Sequence, residues 1–218
     1  ALLQRNLVLS HCSGVGPLID AATVRLIIAL KVISLSQGHS GVRSSVVQLL
    51  IDFYHQDILP CIPSKGSVGA SGDLAPLAHL AAALIGVGEV HYNGQLMTAS
   101  QAMDQAGLTA LELGPKEGLA LLNGTQTSTA LALAGLFETE NLFAAALVTG
   151  ALSVDAMKGS TVPFDSRIHQ LRGQPGQIAV AKKYAQFLNG SDILESHVDC
   201  GKVQDPYSLR CQPQVMGA

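Results

Sequence analysis

The sequence predicts a mainly α-helical protein, and three observations carry that expectation. Apolar residues recur at spacings of three and four through several segments, the period of a helix with one buried face. Glycine and proline punctuate those segments and mark their ends. Strand-like alternation is confined to one short stretch.

The elements follow in chain order. Leu2, Leu3, Leu7 and Leu9 give the opening residues a helical pattern. Residues 23–35 are apolar on most faces, and Gly38 is a plausible stop. From 41 to 58 the apolar positions are Val42, Val46, Leu49, Leu50 and Phe53, an amphipathic helix that Pro60 and Pro63 bring to an end. Residues 74–85 are apolar all round, so a buried helix is expected there, with Asp73 as N-cap, Pro76 in the first turn, and Gly86 and Gly88 after the end. "EVHYNGQLM", 89–97, reads as a hairpin about Asn93-Gly94. A short helix follows from Thr98, with Gly107 as its C-cap. The longest helical region spans about 116–157 and contains Gly124, Gly135 and Gly150, where a kink or a close approach is expected. Residues 159–206 hold Pro163, Pro175 and Pro206 and little periodicity, which predicts a long loop with one short helix near 179–188.

Composition bounds the function. The 218 residues are 48% hydrophobic but only 13% charged, about half the charged share of ordinary soluble domains. Such a chain cannot cover itself with a solvated surface, so burial against further chain or other subunits is expected. A membrane is the other way to cover it. A crossing helix needs roughly 20 apolar residues, and the best stretch, 128–157, is interrupted by Glu138, Glu140, Asn141 and Asp155. No membrane partner is therefore predicted. The ends suggest that 1–218 is an internal segment of one larger domain. A net charge of −3 with no basic run argues against nucleic acid. Cys12, Cys61, Cys200 and Cys211 form no C-x-x-C pair, and no basic-then-apolar leader appears. Free thiols in a reducing, cytoplasmic setting are expected.

The stretch "GSVGASGDLAPLAHL", 66–80, raises a chemical question. Its flexible residues lie directly against the start of a rigid helix. They are turn and cap formers in one reading. In the other, the chemistry is covalent. The Gly72 amide closes on the Ala70 carbonyl because no side chain obstructs it. Loss of water forms a five-membered ring. Loss of the Ser71 hydroxyl as a second water leaves an exocyclic methylene, an electrophilic carbon made from the chain itself.

That stretch closely resembles the signature of the aromatic amino acid ammonia-lyases. "LVLSH" at 7–11, "KEGLALLNGTQ" at 116–126 and "QDPYSLRCQPQ" at 204–214 extend the resemblance over essentially the whole chain. It implies a helical bundle of the ammonia-lyase (fumarase/aspartase-like) type with loop-borne active sites, assembled as a homotetramer that shares those sites between subunits. It also implies a methylidene-imidazolone group formed autocatalytically from Ala70, Ser71 and Gly72, with no external cofactor.

The same resemblance assigns the remaining residues. Asn123 lies against the prosthetic ring; a mid-helix amide with a local bond is its plainer reading. Tyr207 matches a family active-site tyrosine, and Arg210 matches the arginine that binds the substrate carboxylate, for which a guanidinium fork is suited. Gln204 is a hydrogen-bonding partner on the same loop. The pair Ser10-His11 is the pattern of the family's histidine-specific bacterial members, where His11 would bond the substrate imidazole. L-histidine is the substrate thereby implied, with tyrosine- or phenylalanine-specific lyases and aminomutases as alternatives. A non-catalytic helical module whose Ala70-Ser71-Gly72 never cyclises is the alternative from another class. The family's catalytic base is a tyrosine of a glycine-rich lid that these residues do not contain, and its C-terminal glutamate has no counterpart here. His39, His55, His79, His91, His169 and His197 lack metal-ligand spacing and are expected to be structural or surface residues.

Overall fold

The computed structural model describes residues 2–218 and is mainly helical. The chain divides into two compact units, the first ending at Gly135 and the second spanning Leu136–Ala218.

The first unit begins with α1 (Leu2–His11) and β1 (Val15–Leu18). In α2 (Ala21–Ser36), Asp20 is the N-cap; its carboxylate accepts from Thr23 N at 2.9 Å and Thr23 Oγ1 at 2.7 Å. Next, α3 (Ser44–His55) buries Val46, Leu49, Leu50 and Phe53, the face its spacing predicts. Two short strands, β2 (Leu59–Pro60) and β3 (Pro63–Lys65), lead to α4 (Leu74–Leu84). Nine of its eleven residues are buried, as its all-round apolar sequence requires. β4 (Glu89–Tyr92) and β5 (Gln95–Thr98) form the expected hairpin, with Asn93 at φ 50° and Gly94 at φ 74°, both in the left-handed region that a tight hairpin turn demands. In α5 (Ala99–Ala106) a capping box joins Thr98 and Gln101, and Gly107 closes the helix at φ 68°.

Beyond the hairpin the strands belong to pairings that the sequence does not announce. β1 pairs antiparallel with β3, and β2 adds antiparallel to β4 to give the order β2-β4-β5. Strands of two to four residues are too short to show period-two alternation.

The region expected as one long helix is two. α6 (Glu117–Leu122) stops at Asn123, and α7 (Gln126–Ala156) starts afresh. Asn123 is extended at φ −102°, ψ 141°, and Gly124 sits at φ 133°. Glu138, Glu140 and Asn141 do not interrupt α7, since a solvent-facing Glu is a good helix former. By length and composition, an apolar window within 117–156 with mean hydropathy 1.5 is long enough to cross a membrane.

In the second unit the short helix expected near 179–188 is present but begins earlier, and the loop expected around it over 159–206 is corrected to further helices. After a short 3₁₀ turn (Val162–Phe164) come α8 (Ser166–Arg172), α9 (Pro175–Leu188) and α10 (Asp192–Glu195). Pro175 does not break α9 but opens it, at the position where a missing N–H does no harm. Then α11 (Tyr207–Arg210) and α12 (Gln212–Met216) complete the chain. Ala151, Val154, Phe164, Val180, Tyr184, Leu188 and Leu209 form this unit's core. Gly150 of α7 lets the Tyr184 hydroxyl reach the helix backbone, because a Cβ there would overlap it.

Candidate active site

The segment from Gly66 to Asp73 joins β3 to α4, and backbone freedom decides its course. A Cβ on Gly66 would lie 3.0 Å from Ala75 Cβ and 3.2 Å from Gly14 Cα, so the chain passes close to the turn after α1 only because the side chain is missing. Gly69 takes φ 65° and Gly72 φ 113°. Ala70 and Ser71 are exposed, while Gly72 is half-buried. A Cβ on Gly72 would stand 2.8 Å from Asn123 Oδ1, and equally 2.8 Å from the nitrogen and oxygen of Gly124. Only glycine fits there, on steric and dihedral grounds alike.

Asn123 is therefore not a mid-helix amide bonded to its own turn. It occupies the break between α6 and α7, with its carboxamide oxygen against Gly72. Two bonds from distant chain hold that break. The Asp73 N–H donates to Gly124 O at 2.7 Å. The Lys31 ammonium, 1% exposed, donates to Asn123 O at 2.7 Å. Burial lowers the Lys31 pKa to about 8.

Asp73 differs from its expected role. Its carboxylate makes no bond to the start of α4. It accepts from Ser128 N at 2.7 Å and Ser128 Oγ at 2.6 Å, and from Ser67 Oγ at 2.7 Å. Asp73 thus caps α7 from across the chain and pins the 66–73 segment to it. Burial opposes ionisation of Asp73, but bonds from Ser128 and Ser67 outweigh it and hold the carboxyl below its ordinary pKa.

His11 is the last residue of α1. Its Nδ1 lies 2.8 Å from Leu7 O. A carbonyl only accepts, so Nδ1 carries a proton, and in the neutral ring Nε2 is the acceptor. The turn that follows is tied down by Gly14 N–H, which donates to His79 Nε2 at 3.2 Å. His79 on α4 thus has a definite task, and burial holds its pKa below the ordinary value. His169 is fully buried between Pro163 O and Gln177, a structural histidine of the second unit.

Gln204, Tyr207 and Arg210 lie in the second unit, and the last two are in contact. Gln204 is exposed on the loop before α11. Tyr207 is 71% exposed, and the Arg210 guanidinium stacks 4.5 Å from its ring centroid. Arg210 Nε is buried with no hydrogen-bond partner among the described residues. Asp205, beside them, is 4% exposed and accepts from Ser160 N at 2.6 Å and Lys202 Nζ at 2.8 Å, which anchors the loop. Among the described residues no three His, Cys, Asp or Glu side chains converge to hold a metal.

Sequence reasoning singled out the tripeptide, Asn123 and His11, placed His79 among the structural or surface histidines, and missed Lys31 and Ser128. Lys31 carried a signal. It is the one charged residue on the buried face that Ile27, Ile28 and Leu35 define.

The architecture is a helical scaffold that locks a glycine-only turn against an asparagine at a helix break. The chain matches the family model described as aromatic amino acid lyase over residues 1–218, and it belongs to that family. It is 62% identical over 217 residues to a histidine ammonia-lyase of Aromatoleum aromaticum, covering all of this chain and 41% of that protein. Among solved structures it is similar to Pantoea agglomerans phenylalanine aminomutase, with a TM-score of 0.90, 35% identity, and coverage of 99% of this chain and 45% of the other. Histidine ammonia-lyase from Trypanosoma cruzi gives a TM-score of 0.87 at 34% identity, covering 99% of this chain and 40% of that one. The chain thus spans about two fifths of the length of the curated relatives it matches.

Proposed function

We propose that this chain is the ring-bearing core of a histidine ammonia-lyase, which eliminates ammonia from L-histidine without oxidation to give trans-urocanate. The observation that carries the reading is the turn at Gly72, whose positive φ and 2.8 Å approaches to Asn123 and Gly124 leave no room for a side chain. The name of the 62%-identical relative supports the choice of substrate.

The residues fit a methylidene-imidazolone group. Closing the Gly72 nitrogen onto the Ala70 carbonyl needs a bare, left-handed glycine with a polar neighbour, and Gly72 beside Asn123 supplies both. Buried Gln126 Oε1 and Thr127 Oγ1, at the start of α7, have no hydrogen-bond partner among the described residues. The group supplies an electrophilic carbon that no standard side chain offers. The chain's own residues do the rest. Asn123 Oδ1 and the Gly124 backbone hold the turn. Asp73 keeps it pinned to α7. His11 presents Nε2 as an acceptor for an imidazole N–H. Arg210, with a buried and unpartnered Nε, offers its fork to the substrate carboxylate, and Tyr207 and Gln204 flank it.

The two compact units belong, in this reading, to one catalytic domain of a cytoplasmic homotetramer. The charge deficit and the exposed Leu131, Phe137 and Leu142 of α7 support further burial against protein. Neither a nucleic acid nor a membrane enters the reading.

The test uses the full-length protein. Its intact mass should fall short of the sequence mass by two waters, roughly 36 Da, since ring closure and loss of the serine hydroxyl each expel one. Ser71→Ala should abolish the methylene and most of the activity. Turnover on histidine should exceed that on tyrosine and phenylalanine. An active enzyme of unmodified mass overturns the reading; a preference for phenylalanine, or a β-amino acid product, moves it to a sister lyase or an aminomutase.

A further inference from the structure

Lys31 is a lysine where the helix pattern calls for an apolar residue. It lies on the face of α2 occupied by Ile27, Ile28 and Leu35, all buried, and is itself 1% exposed. Burying an ammonium costs several kcal/mol unless its hydrogen bonds are made. A methionine or leucine would fill the same space without that cost. What the lysine adds is a donor, and the donor meets the carbonyl of Asn123, 92 residues further along the chain, at 2.7 Å.

That carbonyl stands at a sensitive point. It ends α6, where the helix leaves unsatisfied acceptors and a partial negative charge that an ammonium complements. Its own residue has left the helical conformation for φ −102°, ψ 141°. Nothing in the local sequence fixes that angle, since an Asn-Gly pair is compatible with several conformations. The angle sets where the Asn123 carboxamide points, and it points at Gly72.

We propose that Lys31 is a positioning residue for the active site: its buried ammonium clamps the Asn123 carbonyl and so aims the Asn123 carboxamide at the Gly72 turn. The proposal rests on the reading of Asn123 as a residue that touches the ring.

Lys31→Met in the full-length enzyme removes the donor and keeps the volume. Three measurements decide. A crystal structure of the variant should show the Asn123 carboxamide moved away from Gly72. The kcat should fall about 100-fold, as misplacement by about 1 Å does elsewhere, with KM little changed. The double variant Lys31→Met/Asn123→Ala should be no slower than Asn123→Ala alone, because the lysine acts only through the asparagine. An Asn123 that stays in place, an unchanged kcat, or losses that multiply in the double variant would each overturn the proposal. If Lys31→Met fails to fold, Lys31→Gln, whose amide falls short of the carbonyl, is read in the same way. A wild-type enzyme without the two-water mass deficit would defeat the ring assignment instead, and the position of Asn123 in the variant would still decide the role of Lys31.

Discussion

Asp73 caps a helix that begins more than fifty residues after it. Its carboxylate receives the backbone N–H and the hydroxyl of Ser128, at 2.7 and 2.6 Å, inside the first turn of α7. The residue immediately after the Ala70-Ser71-Gly72 turn is therefore bonded to the helix that follows Asn123. The two halves of the site are held together through Asp73.

Asp73→Ala would remove the acceptor that caps the first turn of α7 at Ser128. We expect a loss of about 0.5–2 kcal/mol, the cost of losing a helix N-cap, together with incomplete ring formation on the proposed reading. Denaturant unfolding and intact mass measure the two effects. Wild-type stability in the variant would show that the bond carries no net energy.

Gly72→Ala and Gly69→Ala separate steric from dihedral requirements. Both positions have positive φ, but a Cβ at 69 meets nothing within 4 Å, whereas one at 72 meets three atoms at 2.8 Å. Gly69→Ala should cost about 1–2 kcal/mol of backbone strain and still lose two waters. Gly72→Ala should show the full sequence mass and no activity. Mass spectrometry of both variants is the check.

Arg43 and Glu117 give a pH prediction. Glu117, 2% exposed, accepts from the Arg43 backbone and guanidinium and from Gly114 N, and supports the start of α6. The Arg43 side chain, foremost, lowers its pKa from 4.5 to about 2. A carboxylate depressed by folding contributes stability that is complete above its unfolded pKa and is lost as pH falls through the folded value. Thermal midpoints should therefore drop between pH 4.5 and about 2 more steeply in wild type than in Glu117→Gln. Parallel profiles would remove Glu117 from the acid transition.

Arg210→Lys keeps a positive charge but loses the fork. On the proposed reading of Arg210, carboxylate binding should weaken by about 1.5–3 kcal/mol, roughly 10- to 150-fold in kcat/KM for histidine. Steady-state kinetics measure it. Unchanged kcat/KM would place the carboxylate elsewhere.

The helical class, the hairpin at Asn93-Gly94, the buried face of α3, the burial of α4 and the family carried by the tripeptide motif were all legible in the residues alone, because each depends on residue type at short spacing. The break at Asn123-Gly124 was legible only as a kink or close approach at Gly124 within one helix, since the surrounding "LALLNGTQTSTALALAG" keeps enough helical character to run through. Tertiary bonds from Lys31 and Asp73 to the Asn123 and Gly124 carbonyls decide it. Asp73 read as a cap for the helix it precedes, because local pattern knows only its neighbours; its true partner becomes adjacent only after folding. Of the helices beyond Gly159 only the stretch 179–188 was legible; the others, and the true start of α9, hid behind Pro163 and Pro175, which mark a helix start as readily as an interruption. Short-range preference selects the elements. Which carbonyl a buried ammonium meets is a matter of long-range packing, and only the folded chain sets it.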